Sequence, residues 1–252
     1  MKNLNGELEI NFVSFSTELK NRLNSSFDSL AGSHSCYLES YKMLSSLEAW
    51  KAYILEPKVP NSALKFFLEA QNDALLSHAL ATIGTWRASL QSLRSTIENT
   101  LFCLYYKDHP VEYKLWEVGK NQMPISDYIR YISKHPSFHG VNRNLTGVDL
   151  LEKEYSTLSK AVHASSMSFR MMQVEEPFPA ITLPEVPRLN AWITRERRAI
   201  QLINQILITM YSSDLQGAKL RDLRKSVSLA IPANLFDQIR QQFGIRLFDP
   251  KG

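Results

Sequence analysis

With 44% hydrophobic and 21% charged residues, the 252-residue chain has enough apolar side chain for a core and the mixed composition of a folded domain. Nine glycines are too few for a sandwich or barrel built on many tight turns. The longest uncharged run, Ala199 to Ser213, falls short of the roughly 18 residues of a bilayer span and is broken by polar side chains, so no membrane association is expected. The net charge of +4 is uneven: residues 188–252 hold eleven Lys or Arg against five Asp or Glu, which leaves the remainder at −2. The start, MKNLNGELEINF, has no apolar core of signal-peptide length, and Cys36 and Cys103 have no metal-type spacing. Two buried thiols in a cytoplasmic protein are the expectation.

In chain order the reading is almost wholly helical. GELEINFVSF alternates Leu8, Ile10 and Phe12 and admits one isolated strand. Phe15, Leu19, Leu23, Phe27 and Leu30 then form a helical stripe, and a turn at Gly32 and Ser33 leads into a helix that ends before Pro57 to Pro60. Asn61 or Ser62 is placed to cap a long helix, and Gly84 marks either a bend before a second helix or a weak point within one. Beyond Gly84, Trp86, Leu90, Leu93, Ile97, Leu101 and Leu104 recur as one face of a packed bundle. KDHP (107–110) breaks the chain, a short helix follows near 111–119, and another lies between Pro124 and Pro136. The polar loop HPSFHGVNRNLTG leads to a helix marked by Leu151, Tyr155, Leu158, Val162, Phe169 and Met172, with a single lapse at Ser165.

PFPAITLPEVP (177–187) has four prolines in eleven positions and reads as an extended spacer. The chain thus divides into a helical body (1–176), the spacer, and a basic helical C-terminal region (188–252). That region has an apolar face at Ile200, Ile203, Leu207 and Met210, and two basic clusters: Arg195, Arg197 and Arg198, then Lys219, Arg221, Arg224 and Lys225. The clusters suit a partner protein or nucleic-acid phosphates, and a solvated docking face is the favoured of the two readings.

Two polar sets stand out on the apolar helices. Arg94 and Glu98 are i,i+4 neighbours, as are Ser159 and His163. With Tyr155 and Leu158 they resemble the HEPN superfamily, small all-helical domains of prokaryotic defence and toxin systems. Within it the chain is similar to a branch with Arg and Glu on an early core helix and Tyr-x-x-Leu-Ser-x-x-x-His later; the resemblance covers about residues 60–172. It implies an all-α, HEPN-like bundle with the C-terminal helices as an extension. Ribonucleases of the superfamily carry Arg-polar-x-x-x-His on a late helix, usually completed by dimerisation: the Arg holds phosphate charge and the His takes part in cleaving RNA. Here Leu158 stands where that Arg belongs, and leucine cannot donate to phosphate.

Two functions follow from the resemblance. One is a non-catalytic helical subunit of a multi-protein antiphage or anti-plasmid complex, scaffolding or regulating a partner nuclease or ATPase, with homodimerisation open. The other is a metal-independent endoribonuclease using His163, a cation from Arg94, and Glu98 to orient either. The bland reading of the same residues, a buried polar network, is favoured over both catalysis and ligand binding. Arg130 and His135 in RYISKH also read Arg-x-x-x-x-His, but they precede the late helix and diverge by roughly 140° on a helix, so solvated surface is expected. No metal ligand set, phosphate loop or nucleophile elbow is present, and no cofactor is expected.

Overall fold

The structure, a computed structural model, describes residues 4–30, 34–162, 186–216 and 220–248. Among these no strand occurs, and no helix is long and apolar enough to cross a membrane. The N-terminal segment is helix α1 (Leu4–Leu30), not a strand. The alternation at Leu8, Ile10 and Phe12 also contains the helical pair Leu8 and Phe12, and among the described residues no second strand is present to pair with an extended segment. Helix α2 (His34–Trp50) continues through a π turn (Lys51–Leu55) into the short α3 (Glu56–Lys58).

The centre of the fold is an antiparallel pair, α4 (Asn61–Thr82) and α5 (Trp86–Tyr106). Gly84, at φ 73°, makes the turn between them in a left-handed conformation that glycine adopts without steric cost. Helix α4 starts at Asn61 behind Pro60 and has no side-chain cap, so neither Asn61 nor Ser62 has the expected capping role. Prolines also set the next elements: α6 (Pro110–Glu117) begins on one, and α7 (Ile125–Lys134) lies between Pro124 and a 3₁₀ turn beginning at Pro136. The short α8 (Arg143–Thr146) gives way to α9 (Val148–Val162) at Gly147, with φ 72°. A Cβ at Gly147 would sit 3.1 Å from Cβ of Gln205, so the glycine also permits α9 to approach the C-terminal helices closely.

Those helices are α10 (Val186–Met210), α11 (Arg221–Ala230) and α12 (Phe236–Phe243). Val186 and Pro187, assigned from sequence to the spacer, are the first residues of α10; the rest of the spacer lies outside the described residues. The proposed division into body and C-terminal region is not a division of cores. Ile200, Leu202, Ile203, Ile206 and Leu207 join Leu47, Trp50, Phe67, Leu93, Ile97, Leu101 and Leu158 in one buried cluster. Helix α10 packs on α2, α5 and α9 and is apolar around most of its circumference, as a central helix must be. A smaller cluster of Tyr37, Ala81, Trp86, Leu189, Trp192 and Ile193 ties the start of α10 to α2, α4 and α5. The expected pairing of α5 with α9 is present; of its stripe, Trp86 belongs to this smaller cluster. Both cysteines are free: Cys103 is buried, its thiol pushed up to about 12 by desolvation, whereas Cys36 is exposed, contrary to expectation.

Candidate functional site

Helix α5 presents Arg94 and Glu98 one turn apart, and α9 brings Tyr155 across to them. The Tyr155 hydroxyl accepts from Nη2 of Arg94 at 2.8 Å and from Nε at 3.1 Å, and donates to Oε1 of Glu98 at 2.6 Å. Arg94 Nη2 also reaches Glu98 Oε1 at 2.8 Å, and the guanidinium carbon sits 5.2 Å from the centre of the Tyr155 ring. Three side chains therefore satisfy one another in a closed triangle. Burial works against the charged guanidinium, but the Tyr155 hydrogen bond and the charges of Glu98 and Tyr155 outweigh it, so the Arg94 pKa lies above its ordinary value. The Tyr155 phenol is raised by burial and by its bond to Glu98.

The triangle lines an open cleft of about 700 Å³ whose other walls include Phe102, Met123, Ile129 and Ser159. Ser159 is committed to its own helix, donating to the Tyr155 carbonyl at 2.9 Å. His163, Ser165, Phe169 and Met172 lie outside the described residues, so the structure does not place His163 beside Arg94 and Glu98. Arg87, which the sequence reading passed over, donates to the carbonyl of Val162, the residue before His163. Arg130 and His135 do separate, but only Arg130 is the solvated surface residue expected: it is exposed and pairs with Asp127 one turn away, while His135 is half-buried with Nε2 3.7 Å from Asp108.

The basic residues of the C-terminal region fall on different elements. Arg195, Arg197 and Arg198 on α10 and Lys153 on α9 line a second cleft, of about 520 Å³. Arg195 donates to Glu154 at 2.9 Å, while Arg197, Arg198 and Lys153 have no ion pair among the described residues. Glu154 is buried, and desolvation raises its pKa against the opposing charges of Arg195 and Arg198. Arg221 and Arg224, on α11, lie instead over the ring of Phe248, at 5.9 and 5.4 Å. Lys225 is exposed on α11, and Lys219 lies outside the described residues. Among the described residues no group of His, Cys, Asp and Glu is placed to hold a metal ion.

A buried pair that sequence spacing did not reveal joins α4 to α10. Nδ1 of His78 lies 3.4 Å from Glu196 Oε1, under the rings of Tyr37 and Trp192, and Glu196 Oε2 has no hydrogen-bond partner among the described residues. Burial holds the Glu196 carboxyl above its usual range, with His78 and Arg197 opposing the rise. A raised folded-state pKa means that the stability attached to this group is complete below the ordinary value of 4.5 and is lost as pH rises through the folded value. Glu196→Gln is therefore expected to stabilise the fold near neutral pH by on the order of 1 kcal/mol, read as a raised thermal unfolding midpoint, with the gain fading at acid pH. A lowered midpoint at neutral pH would mean instead that His78 and Glu196 form a net favourable ion pair.

Comparison of the chain with protein-family models, with curated proteins and with solved structures gives no match.

Proposed function

We propose that the chain is a non-catalytic helical subunit of a multi-protein prokaryotic defence complex, where it scaffolds or regulates a partner nuclease or ATPase. The observation that carries the non-catalytic reading is the closed Arg94–Glu98–Tyr155 triangle. The resembling ribonucleases need a cation free to meet phosphate; Leu158 supplies none, and Arg94 already serves a carboxylate and a phenol. Releasing Arg94 would leave Glu98 and the Tyr155 hydroxyl without their partner in a half-buried site, a cost that substrate binding would have to offset. The defence setting is supported by the resemblance carried by Arg94, Glu98, Tyr155, Leu158, Ser159 and His163. The cleft of Lys153, Arg197 and Arg198 supports a contact with an acidic partner surface by steering its approach.

The purified chain, incubated alone with structured and single-stranded RNA, is expected to leave both intact. Robust cleavage that disappears in a folded His163→Ala variant would establish the ribonuclease reading in place of this one.

A further inference from the structure

The first half of α1 has no place in the core. From Leu4 to Thr17 every residue except Gly6 is exposed, and only further along, at Leu19, Leu23 and Ser26, does the helix become partly or fully buried. Leu4, Leu8 and Phe12 are 64%, 54% and 68% exposed, and their i,i+4 spacing puts them on one face of the helix. Ile10 and Val13 are exposed as well but lie off that face. Single exposed apolar residues are ordinary, but a continuous stripe of large ones marks a surface that another molecule covers.

The same chain exposes a receptor for such a helix. Antiparallel α2 and α4 leave a groove of about 680 Å³ between them, lined by Leu38, Tyr41, Leu44, Leu68, Ala74 and Leu75. Tyr41, Leu68 and Leu75 are 54%, 43% and 47% exposed. Charges on the rim are already matched, Lys42 with Glu39 and Glu48 with Lys51 and Gln71, so covering the groove strands no single charge. At a rise of about 1.5 Å per residue, the stripe from Leu4 to Phe12 runs roughly 12 Å and fits within the groove wall from Leu38 to Glu48, roughly 15 Å.

We infer that the chain forms a two-fold dimer in which α1 of each copy lies in the α2/α4 groove of the other. The exchange is self-complementary, as a two-fold interface requires, because each copy supplies one helix and one groove. About seven large apolar side chains per copy, each roughly half-exposed, would remove on the order of 1,300 Å² from water, within the size range of specific interfaces. The inference is independent of the function proposed above, whose test is RNA cleavage, so either can fail without the other.

Light scattering after size exclusion, over a concentration series of the full chain, measures the mass directly. The parent should run at twice the chain mass. Leu8→Glu/Phe12→Glu and Leu68→Glu/Leu75→Glu should each run as a folded helical monomer, since all four positions are exposed within one copy, and each should lose the rise of the melting midpoint with concentration that a dimeric parent shows. Mixing the two double variants should restore a dimer at least tenfold weaker than the parent, because one intact helix still meets one intact groove. A parent that is monomeric throughout overturns the inference. So does a groove variant that remains as dimeric as the parent, which would show that α1 pairs with α1 and not with the groove.

Discussion

Removal of residues 186–252 should abolish cooperative unfolding of what remains. Ile200, Leu202, Ile203, Ile206 and Leu207 are each at most 1% exposed and lie against α2, α5 and α9. At about 1.5–3 kcal/mol for each fully buried side chain, these five alone contribute on the order of 10 kcal/mol, comparable with the net stability of about 5–15 kcal/mol typical of a whole domain. Truncation would also bare Leu47, Trp50, Leu101 and Leu158, which pack in the same cluster. The expected product is an aggregating or molten chain with a broad, non-cooperative denaturant transition. A truncated protein that stays soluble and unfolds cooperatively would show that α4, α5, α7 and α9 can close a core by themselves, as the division at the proline spacer supposed.

That division shows where local reading stops. Prolines and glycines act on their immediate neighbours, so the bounds of α6 and α7 were legible from sequence, and the turn at Gly84 was one of two readings open there. The stripe on α5 was legible because 3.6-residue periodicity is a local property. The tail has a clear apolar face at Ile200, Ile203, Leu207 and Met210, and that face alone looks like a docking surface. Leu202, Ile206 and Ile208 place apolar side chains on the remaining sides, and with Asn204 and Gln205 buried among them α10 is a central helix. The Arg94 and Glu98 pair could be seen as i,i+4 neighbours; their closure by Tyr155, 57–61 residues away, could not. His78 with Glu196 and Arg195 with Glu154 were invisible for the same reason: each joins two helices distant in sequence. In α1 the ambiguity was of another kind, because spacing of two and spacing of four share every second position.

Asn204 ties the two ends of the fold together, and its loss should be among the costliest single polar substitutions in the chain. Its Oδ1 accepts from the Trp50 indole at 2.8 Å, and its Nδ2 donates to Ser46 Oγ at 2.9 Å and to the Ile200 carbonyl at 2.8 Å. Both Trp50 and Asn204 are fully buried, so the indole N–H cannot turn to water when its acceptor is removed. Ser46 keeps its own bond to the Met43 carbonyl at 2.7 Å, which confines the damage to the indole. Asn204→Leu, close in volume but without the acceptor, should cost about 2–4 kcal/mol: about 1–3 for the stranded donor, and the rest for the misfit of a branched side chain beside Ser46. Trp50→Phe removes the donor and leaves a cavity, so it should be destabilising as well. The two should not add, because in the double variant neither polar atom is left waiting for the other; the expected coupling is about 1–2 kcal/mol. Denaturant midpoints of the parent, both single variants and the double variant, compared at a common m-value, measure it. Strict additivity would mean that the Trp50–Asn204 bond contributes nothing beyond packing, which leaves Asn204 to Ser46 as the remaining hydrogen bond of this network between α2 and α10.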